Sequence, residues 1–285
     1  MKKGFDAIEN APSAFSLPDS HLELGVGKNM GQAIRYWSLA FKIIEPAYAT
    51  GRSSDGFRVT DFGTRLLSDS GWDPWLEDPA SLWLLHWNLA KKPSLATAWN
   101  IIFNDFRKNE FSSEDLESEL ARFRDQNNLS ISDSSLHKDA NCILRMYTEQ
   151  GDVKQISDEN LDCPFVELGL IQKTSDQRLH QFRLGPKSNL PPEIVVTAAL
   201  DFLFQTSPSQ KTISVSSLTY GSGSPGQIFK LTESSVYDSL ESFCGRSSDI
   251  AIADMAGEIQ VSINKEPLIL AGEILNTYYE RETET

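Results

Sequence analysis

Long apolar runs are missing from this 285-residue chain. Stretches such as residues 82–85 reach only four residues, against the roughly 20 that a membrane span needs. Lys2 and Lys3 have no apolar segment behind them, so no secretory signal is legible and a cytoplasmic protein is expected. Cysteine is scarce as well. Cys142, Cys163 and Cys244 are far apart and form no CxxC pair, which argues against a disulfide framework or a structural zinc site. The four histidines, His21, His86, His137 and His180, make no HxH, HxxxH or HExxH pattern, so histidine-based metal hydrolases lose their support. Positive charge is also short: 26 basic against 40 acidic residues gives a net charge of −14, which speaks against nucleic-acid binding by the surface as a whole. The chain does have 40% hydrophobic and 10% aromatic residues, enough for a packed core of one large or two small domains.

The charge is unevenly spread. Residues 28–65 hold Lys28, Arg35, Lys42, Arg52, Arg58 and Arg65 against Glu45, Asp55 and Asp61, a local excess of +3 inside an acidic protein. Apolar spacing predicts an amphipathic helix over residues 27–45, with Met30, Ile34, Trp37 and Phe41 facing the core and Pro46 ending it. A short helix and a Gly25/Gly27 turn precede it. An Asp55-Gly56 hairpin follows, and Thr60 caps the next helix. Helix, turn, long helix and hairpin is the order of a winged helix-turn-helix.

Residues 72–106 carry Trp72, Trp75, Trp83, Trp87 and Trp99 and read as two helices broken at Lys92-Pro93, with the rings in the core. Ser112 and Ser132 cap two further helices, and residues 126–133 and 149–158 read as linkers. A hairpin is expected near residues 181–184, a helix over residues 192–204, and two strands over residues 250–261. The expected fold is mainly α with small β hairpins (α+β): two winged-helix-like units, residues 1–105 and 163–285, joined by a helical segment at 106–162. Six tryptophans and an acidic middle segment are also compatible with a homodimer interface.

No catalytic signature stands out. Gly25-Val26-Gly27-Lys28-Asn29 misses the phosphate-loop spacing, and no PD-(D/E)xK or HNH pattern is present. Asp73, Glu77 and Asp78 are a carboxylate cluster that a metal nuclease would need, but read more simply as the capped start of a helix. Lys28, Gln32 and Arg35 share a helix face, with Asn29 beside them, and these are donor types that reach phosphates and base edges. With Arg58 and Arg65 they form the candidate DNA-binding set; a solvated helix face is the competing reading.

Several blocks carry a resemblance. Lys2-Lys3-Gly4-Phe5-Asp6-Ala7, Leu24-Gly25-Val26-Gly27-Lys28-Asn29-Met30, Ile34-Arg35-Tyr36-Trp37 and Thr60-Asp61-Phe62-Gly63 stand in the order of an uncharacterised-domain family of bacterial proteins. Cys163-Pro164, Glu167-Leu168-Gly169-Leu170, Gly185-Pro186-Lys187, Leu190-Pro191-Pro192-Glu193-Ile194, Ser224-Pro225-Gly226 and Phe229-Lys230-Leu231 extend the match over nearly the whole chain. The sequence thus resembles the SspB-like family of DNA phosphorothioation (antiphage) systems. That resemblance implies a DNA-nicking role using Mg²⁺ or Mn²⁺, with DNA, a cysteine desulfurase, a P-loop ATPase and an ATP-pyrophosphatase-like sulfurtransferase as partners. It carries over no catalytic or metal-binding residue. A non-enzymatic winged-helix DNA-binding adaptor or transcriptional regulator is the alternative. Against the family pattern the chain begins inside the first conserved block, and an upstream segment with His and Arg is expected to be absent.

Overall fold

Helix caps and small residues at helix crossings set the architecture of the computed structural model, which describes residues 1–16, 19–47, 56–149, 163–245 and 247–282. The N-terminal part runs α1 (Lys2–Asn10), α2 (Ser20–Glu23), α3 (Lys28–Ala40), β1 (Ile44–Pro46), β2 (Phe57–Val59) and α4 (Asp61–Leu67). β1 and β2 pair antiparallel, with Ile44 opposite Val59 and Pro46 opposite Phe57. Residue 55 of the expected Asp-Gly turn lies outside the described residues. Thr60 caps α4 as expected, its hydroxyl accepting from the Gly63 N–H at 2.9 Å.

α3 is shorter than its periodicity predicts. A Schellman turn stops it: the Ile43 N–H donates to Ser38 O, the Lys42 N–H to Leu39 O, and Lys42 takes φ 59°. Pro46, expected to terminate the helix, lies in β1 instead. The buried stripe differs too. Gly31, Ser38 and Ala40 are buried and Phe41 with them, Ile34 and Trp37 are half-buried, but Met30, expected in the core, is 57% exposed. Close approach explains this. A Cβ on Gly4 of α1 would lie 2.3 Å from Ser38 Oγ, and a Cβ on Gly31 would lie 2.9 Å from His21 Cβ of α2. Small residues, rather than the aliphatic ones, set where the helices touch.

α5 (Pro79–Ala90) and α6 (Thr97–Asn104) break at Lys92-Pro93 as expected. α5 is buried on nearly all sides, which marks it as the central helix. Trp83, Trp87 and Trp99 are core residues, Trp72 packs against the core, and Trp75 is exposed. β3 (Glu110–Phe111) precedes α7 (Ser113–Gln126) and α8 (Asp133–Tyr147), whose caps are Ser112 and Ser132. Most of the linker expected at 149–158 lies outside the described residues. β4 (Ile171–Lys173) and β5 (His180–Phe182) follow a 3₁₀ turn at Pro164–Leu168, and the sheet order is β3-β5-β4, all antiparallel.

The C-terminal part runs α9 (Pro192–Thr206), β6 (Thr212–Ser214), α10 (Val215–Tyr220), α11 (Pro225–Ile228), α12 (Glu233–Cys244), β7 (Ile250–Met255), β8 (Glu258–Ile263) and α13 (Pro267–Glu282). Its antiparallel sheet has the order β6-β8-β7. α9 is buried almost throughout and packs against α5, α12 and α13, so one mixed α/β core runs from Phe5 to Tyr279. Among the described residues no helix is long and apolar enough to cross a membrane.

Candidate nucleic-acid interface

Two small-residue contacts, Gly4 with Ser38 and Gly31 with His21, fix which face of α3 turns outward. Lys28, Asn29, Gln32 and Arg35 are all exposed on it. Arg35 reaches β2, its guanidinium carbon standing 5.1 Å from the centre of the buried Phe57 ring. The next strand residue, Arg58, points to solvent and pairs with Glu45 of β1 at 2.7 Å. The helix face and the hairpin are therefore joined through Arg35 and Phe57. Arg65 is not part of this group: it is exposed on α4, and its Nη1 lies 3.2 Å from where a Cβ on Gly272 of α13 would stand.

The other sequence candidates resolve differently. Asp73 is buried, and its two carboxylate oxygens accept the Glu77 and Asp78 N–H groups at 3.0 and 2.9 Å. Asp78 caps α5 by accepting from the Ala80 N–H at 2.8 Å. The capped helix start is thus the local arrangement. The three cysteines are free thiols, Cys142 exposed and the others half-buried. His86 is fully buried; its Nε2–H donates to Ile228 O at 3.0 Å, so Nδ1 accepts from the Tyr147 hydroxyl at 2.7 Å. Burial pushes His86 down to about 3, which keeps the ring neutral.

Sequence reasoning misses a set of buried cations. Lys230, 5% exposed, donates to Phe103 O at 2.8 Å and sits 4.2 Å from the Phe182 ring centre. Lys187 donates to Gly185 O and Lys230 O at 2.6 and 3.2 Å, and the Gly185 N–H also bonds Lys230 O. Burial, reinforced by Arg107, lowers Lys230 to about 7; burial with Arg183 lowers Lys187 to about 8. The Gly185-Pro186-Lys187 and Phe229-Lys230-Leu231 blocks therefore meet as a structural knot under β5. Their separation in sequence hides it.

Residues 1–279 match the model of a family described as a protein of unknown function, DUF4007. Comparison with curated proteins gives no match. Among solved structures, an SspB crystal structure aligns with a TM-score of 0.88 and 30% identity, covering 98% of this chain and 84% of that one. A magnesium ion-bound SspB crystal structure aligns equally well, covering 98% and 83%. Magnesium belongs to that relative. Here, no three His, Cys, Asp or Glu side chains come together as a ligand group among the described residues, and the Asp73 oxygens are already engaged by backbone donors. Among the described residues the acidic and histidine side chains therefore assemble no cation site. With residues 1–279 matched by the family model and SspB similar at 30% identity, the chain belongs to the DUF4007 family and is a relative of SspB.

Proposed function

We propose that this protein is the DNA-binding component of a phosphorothioation system, contacting duplex DNA through α3 and the β1–β2 hairpin. The observation that carries the reading is the exposed row Lys28, Gln32 and Arg35, with Asn29 beside it and Arg35 tied to the hairpin at Phe57. Recognition helices present donors of this kind from their N-terminal turns, and Lys and Arg supply the phosphate contacts. The relationship to SspB supports the system. Its partners in this reading are a cysteine desulfurase, a P-loop ATPase and an ATP-pyrophosphatase-like sulfurtransferase.

The winged-helix reading of both ends is part of the proposal. It is supported at the N-terminus by the order α1, α2, α3, β1, β2, and at the C-terminus by α9, β6, α10, α11, α12, β7, β8 with sheet order β6-β8-β7. The two units divide labour by charge. α12, in the position of a recognition helix, carries Glu233, Asp238 and Glu241 and no Lys or Arg, so DNA contact is assigned to the N-terminal unit. Fluorescence anisotropy with a labelled duplex tests this: binding that weakens steeply with salt supports it, and no binding at low salt overturns it.

A second reading, DNA nicking with Mg²⁺ or Mn²⁺, has the magnesium-bound relative in its favour. Supercoiled plasmid incubated with the protein, its partners and either ion relaxes to open circle if it holds. Plasmid that stays supercoiled leaves the non-enzymatic adaptor.

A further inference from the structure

The residue that ends α3 is unusual. In a Schellman turn the C′ position takes a left-handed backbone, which glycine adopts without strain and a residue with a Cβ does not. Here that position is Lys42, at φ 59°. Its conformation is held from both sides, by the Ile43 N–H on Ser38 O at 2.9 Å and by the Thr60 hydroxyl donating to Lys42 O at 2.6 Å. A lysine kept where glycine is easier points to a use for its side chain.

The surroundings indicate which use. Among the described residues the Lys42 ammonium has no hydrogen-bond or ion-pair partner, although the residue is half-buried. Burial, together with the nearby Lys91, pushes it down to about 7, and Asp201 offsets this in part. Asp201 is the carboxylate that faces both lysines, and it is already engaged. It accepts from Lys91 and from the Trp87 indole N–H on Oδ2, and from the Gln205 amide on Oδ1. Lys92, next in the turn between α5 and α6, is exposed. Lys42 and Lys91 thus share one engaged carboxylate, with the exposed Lys92 next in sequence.

We propose that the phosphate-binding surface of α3 continues past the helix end, over Lys42 to the exposed Lys92. The proposal rests on the DNA reading of α3 and names the path of the backbone across the protein. The 13 residues of α3, Lys28–Ala40, run roughly 20 Å at 1.5 Å per residue, and Lys42 lies just past their end. That is the axial length of about six base pairs at 3.4 Å each. A duplex seated on Lys28 and Arg35 then meets a second phosphate contact at the α5–α6 turn.

The test uses the full chain, a labelled duplex and a sodium chloride series. Three variants are compared: Lys42→Gly, Lys92→Glu and the pair Lys28→Glu with Arg35→Glu. Lys42→Gly removes the ammonium while giving the turn its preferred residue, so its melting midpoint stays level or rises. Its DNA affinity falls, and its salt slope drops by about one unit. Lys92→Glu lowers affinity with the midpoint unchanged. If both single variants bind with wild-type affinity and slope while the Lys28/Arg35 pair loses binding, the extended path is wrong and the DNA reading of α3 stands. Wild-type protein that binds no duplex overturns both.

Discussion

The Arg35 guanidinium carbon lies 5.1 Å from the centre of the Phe57 ring, coupling the exposed face of α3 to the β1–β2 hairpin. This geometry keeps a cation on the surface while holding it over a buried aromatic ring. Phe57→Leu retains apolar volume and loses the ring face. A stability loss of about 1–2 kcal/mol in urea unfolding is expected, together with weaker duplex binding as Arg35 loses its support. Unchanged DNA affinity in Phe57→Leu separates the ring contact from function.

Gly4 and Ser38 make a paired prediction. A Cβ on Gly4 would stand 2.3 Å from Ser38 Oγ, so Gly4→Ala forces α1 and α3 apart and costs about 1–3 kcal/mol. Ser38 Oγ is itself buried without a hydrogen-bond partner, so Ser38→Ala is neutral or stabilising by about 1 kcal/mol. The double variant recovers part of the Gly4→Ala loss, because the atom that clashes is gone. Strict additivity in the double-mutant cycle contradicts this contact.

His86 sets an acid limit. Its folded value is pushed down to about 3, below the ordinary 6.5, so the unfolded chain takes up a proton that the folded one refuses. The stability from the neutral ring is complete above pH 6.5 and is lost as pH falls toward 3. His86→Gln flattens the profile across that window while lowering stability at neutral pH, because the Tyr147 hydroxyl and Ile228 carbonyl lose a well-placed partner. Chemical unfolding at stepped pH reads both effects.

Lys230 acts at the alkaline end by the same rule. Its folded value is lowered to about 7, so below that pH the folded protein carries a buried charge that the unfolded chain would hold in water. Its contribution therefore improves as pH rises from 7 toward 10.5. Lys230→Met removes that slope. An unaltered slope in the variant refutes the assignment to Lys230.

Much of this fold is legible in the sequence wherever local chemistry decides. Thr60, Ser112 and Ser132 cap the helices they are expected to cap, and Lys92-Pro93 divides α5 from α6. The misses occur where tertiary contact overrides pattern. α3 ends at a lysine in a conformation that glycine signals, so the stop is invisible and Pro46 draws the boundary too late. Met30 fits the apolar spacing, yet Gly31 and Ser38 face the core because α1 and α2 approach too closely for larger side chains. The candidate face, Lys28 to Arg35, is legible from spacing alone. Lys42 and the Lys187–Lys230 knot are not, since their partners come from segments far away in sequence.

Charge reversal on α3 tests the central claim most directly. Lys28→Glu with Arg35→Glu removes two exposed cations. It also removes the cation–π contact of Arg35 with Phe57, worth about 0.5–1 kcal/mol at an exposed site, which is too little to unfold the chain. The account predicts that the double variant melts close to wild type and shows no duplex binding by anisotropy at the salt concentration where wild type binds. Wild-type affinity in a folded double variant contradicts the account.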